Sequence, residues 1–153
     1  MTSSGRWSEA EYLEIGVAAR CDPDRVRAAL DAALPPGLDV VDCVEARTPE
    51  FATRLEASIW RIELPEVDSG VLAAAWESLL AADEVQVERM TKNGLRTFDA
   101  RGAVLAGECV SGDSGTCAIL TVVVRHGTPS VRPDDVLSAL RQVADLVPPK
   151  PPR

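Results

Sequence analysis

Between residues 11 and 91 the apolar side chains switch between a two-residue and a 3.6-residue spacing, and the order of those switches restricts the fold more than any single motif does. Residues 12–20 alternate as a strand. Asp22-Pro23-Asp24 then supplies an N-cap, a proline suited to the first helical position and an acid for the first turn, where it complements the helix dipole. Val26, Ala29, Leu30, Ala33 and Leu34 recur on one helical face until Pro35-Pro36-Gly37 stops the helix. Strands are expected over 38–47 and 55–64, the latter with Ser58, Trp60, Ile62 and Leu64 on one face. Leu72, Trp76, Leu79 and Leu80 form the apolar stripe of a second helix over 68–82, which makes Trp60 and Trp76 core residues, and 84–91 alternates as a fourth strand. This β-α-β-β-α-β order predicts an α+β fold containing a ferredoxin-like unit, an antiparallel sheet with its helices on one face.

Beyond that unit, Asn93-Gly94 is a hairpin turn signal, strands are expected near 95–108 and 116–126, and a last helix over 132–146. The architecture expected is therefore a ferredoxin-like βαββαβ unit extended by a β-hairpin, a further strand and a C-terminal helix. Residues 1–8 are small and polar and residues 148–153 are proline-rich, so both ends are expected to be disordered, leaving a single domain over 9–147. The first and last helices share Pro-Asp-x-Val-x-x-Ala-Leu, starting at Pro23 and Pro133. Common helix-start rules and a duplicated βα unit both account for that match.

A chain of 153 residues buries ~70% of its unfolded surface without a staple. Its longest apolar runs fall far short of the ~20 residues of a membrane span, and its first residues lack the basic start and apolar core of a secretory signal. A cytoplasmic protein without membrane contact is expected. Cys21, Cys43, Cys109 and Cys117 include no C-x-x-C pair, so small, mostly buried thiols are expected rather than a metal site or cofactor. Cys109 and Cys117 flank the turn composition Ser111-Gly112-Asp113-Ser114-Gly115, which leaves a bridge across a hairpin open in an oxidising compartment only.

The net charge of −8 argues against nonspecific nucleic-acid coating, but it is unevenly spread: residues 1–87 carry −10 and residues 88–153 carry +2. The basic half gathers Arg89, Lys92, Arg96 and Arg101 on the expected hairpin, with Arg125, His126 and Arg132 following at the last strand and its exit loop. Guanidinium forks bind phosphate and carboxylate, which makes this cluster a candidate anion or partner site. The alternative is a hairpin kept soluble by charge, with Glu88 and Asp99 as cross-strand partners. Whether Arg89 and Arg96 share a face depends on register. His126, the sole histidine, is the nominee for a general base, yet no serine or cysteine occupies a nucleophile elbow and no glycine loop is built for phosphate. No catalytic residue is assigned. An RNA-recognition motif fails for want of its aromatic strand motif, since aromatics are only 4% of the chain.

Four longer strings carry a resemblance. They are Ser8-Glu9-Ala10-Glu11-Tyr12-Leu13-Glu14-Ile15, Leu34-Pro35-Pro36-Gly37-Leu38-Asp39-Val40, the stretch from Val87-Glu88-Arg89-Met90-Thr91-Lys92 through Asn93-Gly94-Leu95-Arg96-Thr97-Phe98-Asp99-Ala100-Arg101, and Val131-Arg132-Pro133-Asp134-Asp135-Val136-Leu137. Over about residues 8–147 the chain resembles the radical SAM-linked domain of unknown function, which occurs alone, especially in actinobacteria, or fused behind a radical SAM protein. The resemblance implies an accessory domain that docks on a radical SAM enzyme or presents its substrate, with no turnover of its own. An RNA- or ribosome-associated module using the basic hairpin is the alternative. Members of that family usually begin with a further β-α-β stretch bearing a Ser-His pair and a Gly-Phe-x-Pro-His-Pro segment, which has no counterpart here. A fragment, a shifted start and a member that lost the function are all open, and an exposed sheet edge inviting a partner or a second copy is expected.

Overall fold

The computed structural model describes residues 11–48, 51–92, 94–112 and 115–153. The expected disordered start over 1–8, Asn93 of the hairpin turn and the Asp113-Ser114 pair lie outside these. Residues 55–153 form one compact unit, and the described residues from 11 to 54 a second.

Within residues 8–54, helix α1 (Pro23–Ala33) forms as the capping signals predict: the Asp22 carboxylate accepts from the Asp24 N–H at 3.0 Å, and Leu34 ends the helix by donating to the Leu30 carbonyl. A four-residue helix, α2 (Phe51–Arg54), closes the region. The strands expected over 12–20 and 38–47 do not form: neither segment belongs to a ladder. Carboxylates near them satisfy backbone groups locally, Asp31 Oδ1 taking the Val40 N–H at 2.9 Å and Asp42 Oδ1 the Cys43 N–H at 2.8 Å. Such side-chain bonds compete with a ladder for the same donors. The helical stripe of α1 buries no residue.

The unit of residues 55–153 has the expected α+β class. Strands β1 (Ala57–Pro65), β4 (Val104–Ser111) and β5 (Cys117–Arg125) make an antiparallel sheet in the order β1-β5-β4, and β2 (Gln86–Thr91) pairs with β3 (Gly94–Asp99) as a separate hairpin. The stretch expected as one strand over 95–108 is split between the two sheets by a 3-10 turn at Arg101–Ala103. Helices α3 (Ser69–Ala81) and α4 (Pro133–Ala144) pack on one another, α3 also against the larger sheet and α4 against β2.

Register dictates the core. Ile62 lies opposite Leu120, Leu64 opposite Ala118 and Trp60 opposite Val122, so one face of β1 and β5 is continuously apolar. That face buries Leu72, Trp76 and Leu79 of α3 and Val136 and Leu140 of α4, with Val87 and Phe98 of the hairpin joining the same cluster. Trp76 is buried and Trp60 packs partly buried against the cluster, as their place in the pattern predicts. Trp76 fits only because β4 carries Gly107 beneath it: a Cβ there would stand 2.4 Å from the indole and 2.9 Å from the Thr121 carbonyl.

The C-terminal residues run beside β1, where the Glu63 N–H donates to the Arg153 carbonyl at 2.8 Å, the Arg153 N–H returns a bond at 3.0 Å, and Lys150 meets Glu66 at 2.6 Å. Cys109 faces the core side opposite Leu120, whereas Cys117 lies opposite Pro65 on the other face, which rules out the bridge considered above; all four cysteines are free. Among the described residues no helix is long and apolar enough to cross a membrane.

Candidate functional site

The hairpin register puts Arg89 directly opposite Arg96, on one face. Two guanidinium groups so placed repel, and the conflict is relieved by drawing one away. Arg89 leans over the Phe98 ring, 4.9 Å from its centroid, donates to the Ser130 carbonyl from both terminal nitrogens at 3.2 Å, and pairs with Asp135 Oδ2 at 2.5 Å. Asp135 is buried and its Oδ2 also accepts the Arg132 backbone N–H at 2.7 Å, so the carboxylate both caps α4 and anchors the hairpin. Arg89 is a clamp inside the fold.

Arg101 is occupied in the same way. Its terminal nitrogens donate to the Val104 carbonyl and to the Leu80 carbonyl in the last turn of α3, both at 3.2 Å. Asp99, expected as a cross-strand partner for the cations, instead gathers three backbone N–H groups: Val85 and Arg101 on Oδ1 at 2.9 Å and Gly102 on Oδ2 at 2.8 Å. Glu88 lies opposite Thr97 rather than a cation. Three members of the sequence-derived cluster, Arg89, Asp99 and Arg101, thus hold the hairpin, the 3-10 turn and the two long helices together.

Lys92 and Arg96 remain. Both are exposed at the hairpin, and among the described residues neither side chain has an ion pair or hydrogen bond. Arg132 is exposed at the start of α4, where its backbone rather than its side chain meets Asp135. An open groove of about 500 Å³ lies between α4 and the outer hairpin face, lined by Glu88, Thr97, Ser138 and Arg141 among others; its charges are of both signs.

Arg125 and His126 lie elsewhere, at the end of the β1–β5 ladder. They line a shallow cavity of about 310 Å³ with Phe98, Ala103, Pro129 and Val131. Because Ser58 pairs with Val124, His126 is its diagonal neighbour on the same face, and Ser58 Oγ lies 2.7 Å from His126 Nε2. His126 Nδ1 is 2.6 Å from the Leu55 carbonyl. A carbonyl only accepts, so Nδ1 carries a proton; in the neutral ring Nε2 is then the acceptor and the Ser58 hydroxyl donates to it. Sequence reasoning named His126 but missed Ser58 and Leu55, since only the register brings them to it. Asp135 was legible in principle as a carboxylate at the third position of a Pro-led helix.

Burial on the core face, with the Glu108 carboxylate beside it, pushes the Cys109 thiol from 9.0 up to about 11. Such a thiol stays protonated and inert at neutral pH.

Antiparallel sheets of three and two strands, a hairpin locked by internal arginines and a C-terminal helix define a small α+β domain. The chain belongs to the family of uncharacterised proteins conserved in bacteria (DUF2344), whose model matches residues 2–133. No curated protein and no solved structure matches it.

Proposed function

We propose that this is a non-catalytic accessory domain that docks, through the tip of the β2–β3 hairpin, on an acidic surface of a radical SAM enzyme or of that enzyme's substrate. The observation that carries the reading is the division of labour among the cations: Arg89 and Arg101 are consumed in fixing the hairpin, while Lys92 and Arg96 stand exposed without partners among the described residues. A rigid platform with two free cations binds an anionic surface at little entropic cost. The radical SAM partner follows from the resemblance of the strings around Val87 and Val131. Four free thiols accord with a cytoplasmic protein.

Capture of partners from the native host by the wild-type domain and by a Lys92→Glu/Arg96→Glu variant tests it. A radical SAM protein is expected with the first and lost with the second; its recovery with neither overturns the reading. Arg101 is left out of the variant because its loss would unseat α3. The same two cations favour RNA as the second reading. With two phosphate contacts, log affinity for structured RNA should fall against log salt with a slope of roughly −1 to −2, and a flat titration excludes it. A second copy pairing at the outer edge of β4, which among the described residues has only β5 as ladder partner, is read out by the oligomeric state in the same preparations.

A further inference from the structure

We propose that Ser58 is a covalent acyl-acceptor site, activated by His126 and served by the cavity that His126 and Arg125 line. The hairpin docking reading neither requires this nor is required by it. Three parts of a nucleophile site are in place. Ser58 Oγ and His126 Nε2 are 2.7 Å apart, within the range a base needs to take the hydroxyl proton. The Leu55 carbonyl, 2.6 Å from Nδ1, holds the imidazole in the tautomer that leaves Nε2 free to accept, the part played by the third member of a serine triad. The backbone fixes the pair from both sides, because the His126 N–H also donates to the Glu56 carbonyl at 2.7 Å and Ala57 pairs with Arg125 in the ladder.

The group is accessible as well as ordered. Ser58 is half-buried and His126 exposed, unlike the fully buried Val124 directly opposite Ser58 on the same face of the sheet. The adjoining cavity has apolar walls from Phe98, Ala103 and Val131; its one lining carboxylate, Asp99, is engaged by three backbone N–H groups, and the exposed Arg125 guanidinium has no partner among the described residues. Those features suit an activated acyl ester or thioester whose acyl chain ends in a carboxylate. In the step, Ser58 Oγ attacks the acyl carbonyl carbon while its proton passes to Nε2. The Oγ–C bond forms, the bond from carbon to the alkoxide or thiolate leaving group breaks, and Nε2 returns the proton to that leaving group. No oxidant or reductant enters.

The test incubates the full chain with p-nitrophenyl acetate and with mono-p-nitrophenyl succinate, follows nitrophenolate release, and maps the acylated residue by peptide mass. Acylation at Ser58 is expected, faster in the folded chain than in the urea-unfolded one, and slower by about 100-fold in His126→Gln, the low end of what a positioned base supplies. Arg125→Gln should slow succinylation more than acetylation. Acylation confined to other residues, an equal rate in the unfolded chain, or an unaltered rate in His126→Gln each overturns the proposal, and equal effects of Arg125→Gln on both esters overturn the carboxylate preference. The folded-against-unfolded comparison decides the matter even if the histidine variant does not fold.

Discussion

Residues 11–48 and residues 55–153 carry hydrophobic alternation of similar quality, yet the chain treats them differently. In the larger unit, Leu64, Leu72, Leu79, Leu120 and Leu140 are fully buried. In the smaller, Tyr12, Leu13, Val17, Val41 and Val44 are exposed, and α1 buries nothing. Alternation makes a segment two-faced, but burial requires a ladder partner and a layer to cover the apolar face. The strands of the larger unit have both, because α3 lies over β4 and β5, and α4 packs on α3 and against β2. Carboxylates mark the contrast: Asp135 binds Arg89, 46 positions away, and Asp99 adds the Val85 N–H, 14 positions away, to two neighbouring donors, whereas Asp22, Asp31 and Asp42 satisfy only backbone donors within nine positions.

Removing one carboxylate from each region should have very different consequences. Asp135→Ala strands the half-buried Arg89 guanidinium and uncaps α4, so it should lower the unfolding free energy by about 3–5 kcal/mol in a urea titration. Asp22→Ala removes only an N-cap from an exposed helix and should cost about 1 kcal/mol of local helix stability, visible as faster amide exchange in α1. Equal losses from the two substitutions would show that α1 depends on its cap as much as α4 does.

A smaller effect separates two glycines. Gly107→Ala drives a methyl against Trp76 and the Thr121 carbonyl, and the sheet must shift to admit it, at roughly 1–3 kcal/mol. Gly16→Ala meets nothing within 4 Å and should stay within about 0.5 kcal/mol of the parent. Thermal melts of the two variants read the difference directly. A Gly107→Ala variant as stable as the parent would mean that Trp76 is not fixed against β4.

Much of this was legible in the sequence, and what was not has a physical reason. The helices came from caps and apolar stripes, as at Asp22-Pro23 and at Leu72, Trp76 and Leu79, because those signals are local. The α+β class, the hairpin, the last strand and the C-terminal helix followed for the same reason. The strands over 12–20 and 38–47 were misread because a strand exists only with a partner, and a two-residue period does not report one. At the site, residue types were read correctly and their employment was not. Arg89, Asp99 and Arg101 stood out as a charge cluster, but each is spent on a group 2 to 46 positions away, and only the register and the packing of α4 show this. Ser58 and His126 are 68 residues apart and meet solely through the β1–β5 pairing.

The last and smallest contrast lies between two thiols. Cys21 is exposed, whereas Cys109 sits partly buried on the core face of β4 with its thiol pushed up to about 11. Thiolate is the reactive form, so at neutral pH a thiol reagent should label Cys21 well before Cys109. Because the folded state holds the Cys109 proton more tightly than the unfolded chain does, its contribution to stability is complete below pH 9.0 and is lost as pH rises towards about 11. A Cys109→Ala variant should lose less stability between those limits than the parent does. If instead both thiols react at the same rate, β4 opens as readily as the exposed segments around α1, and the division between a covered and an uncovered region fails at that edge of the sheet.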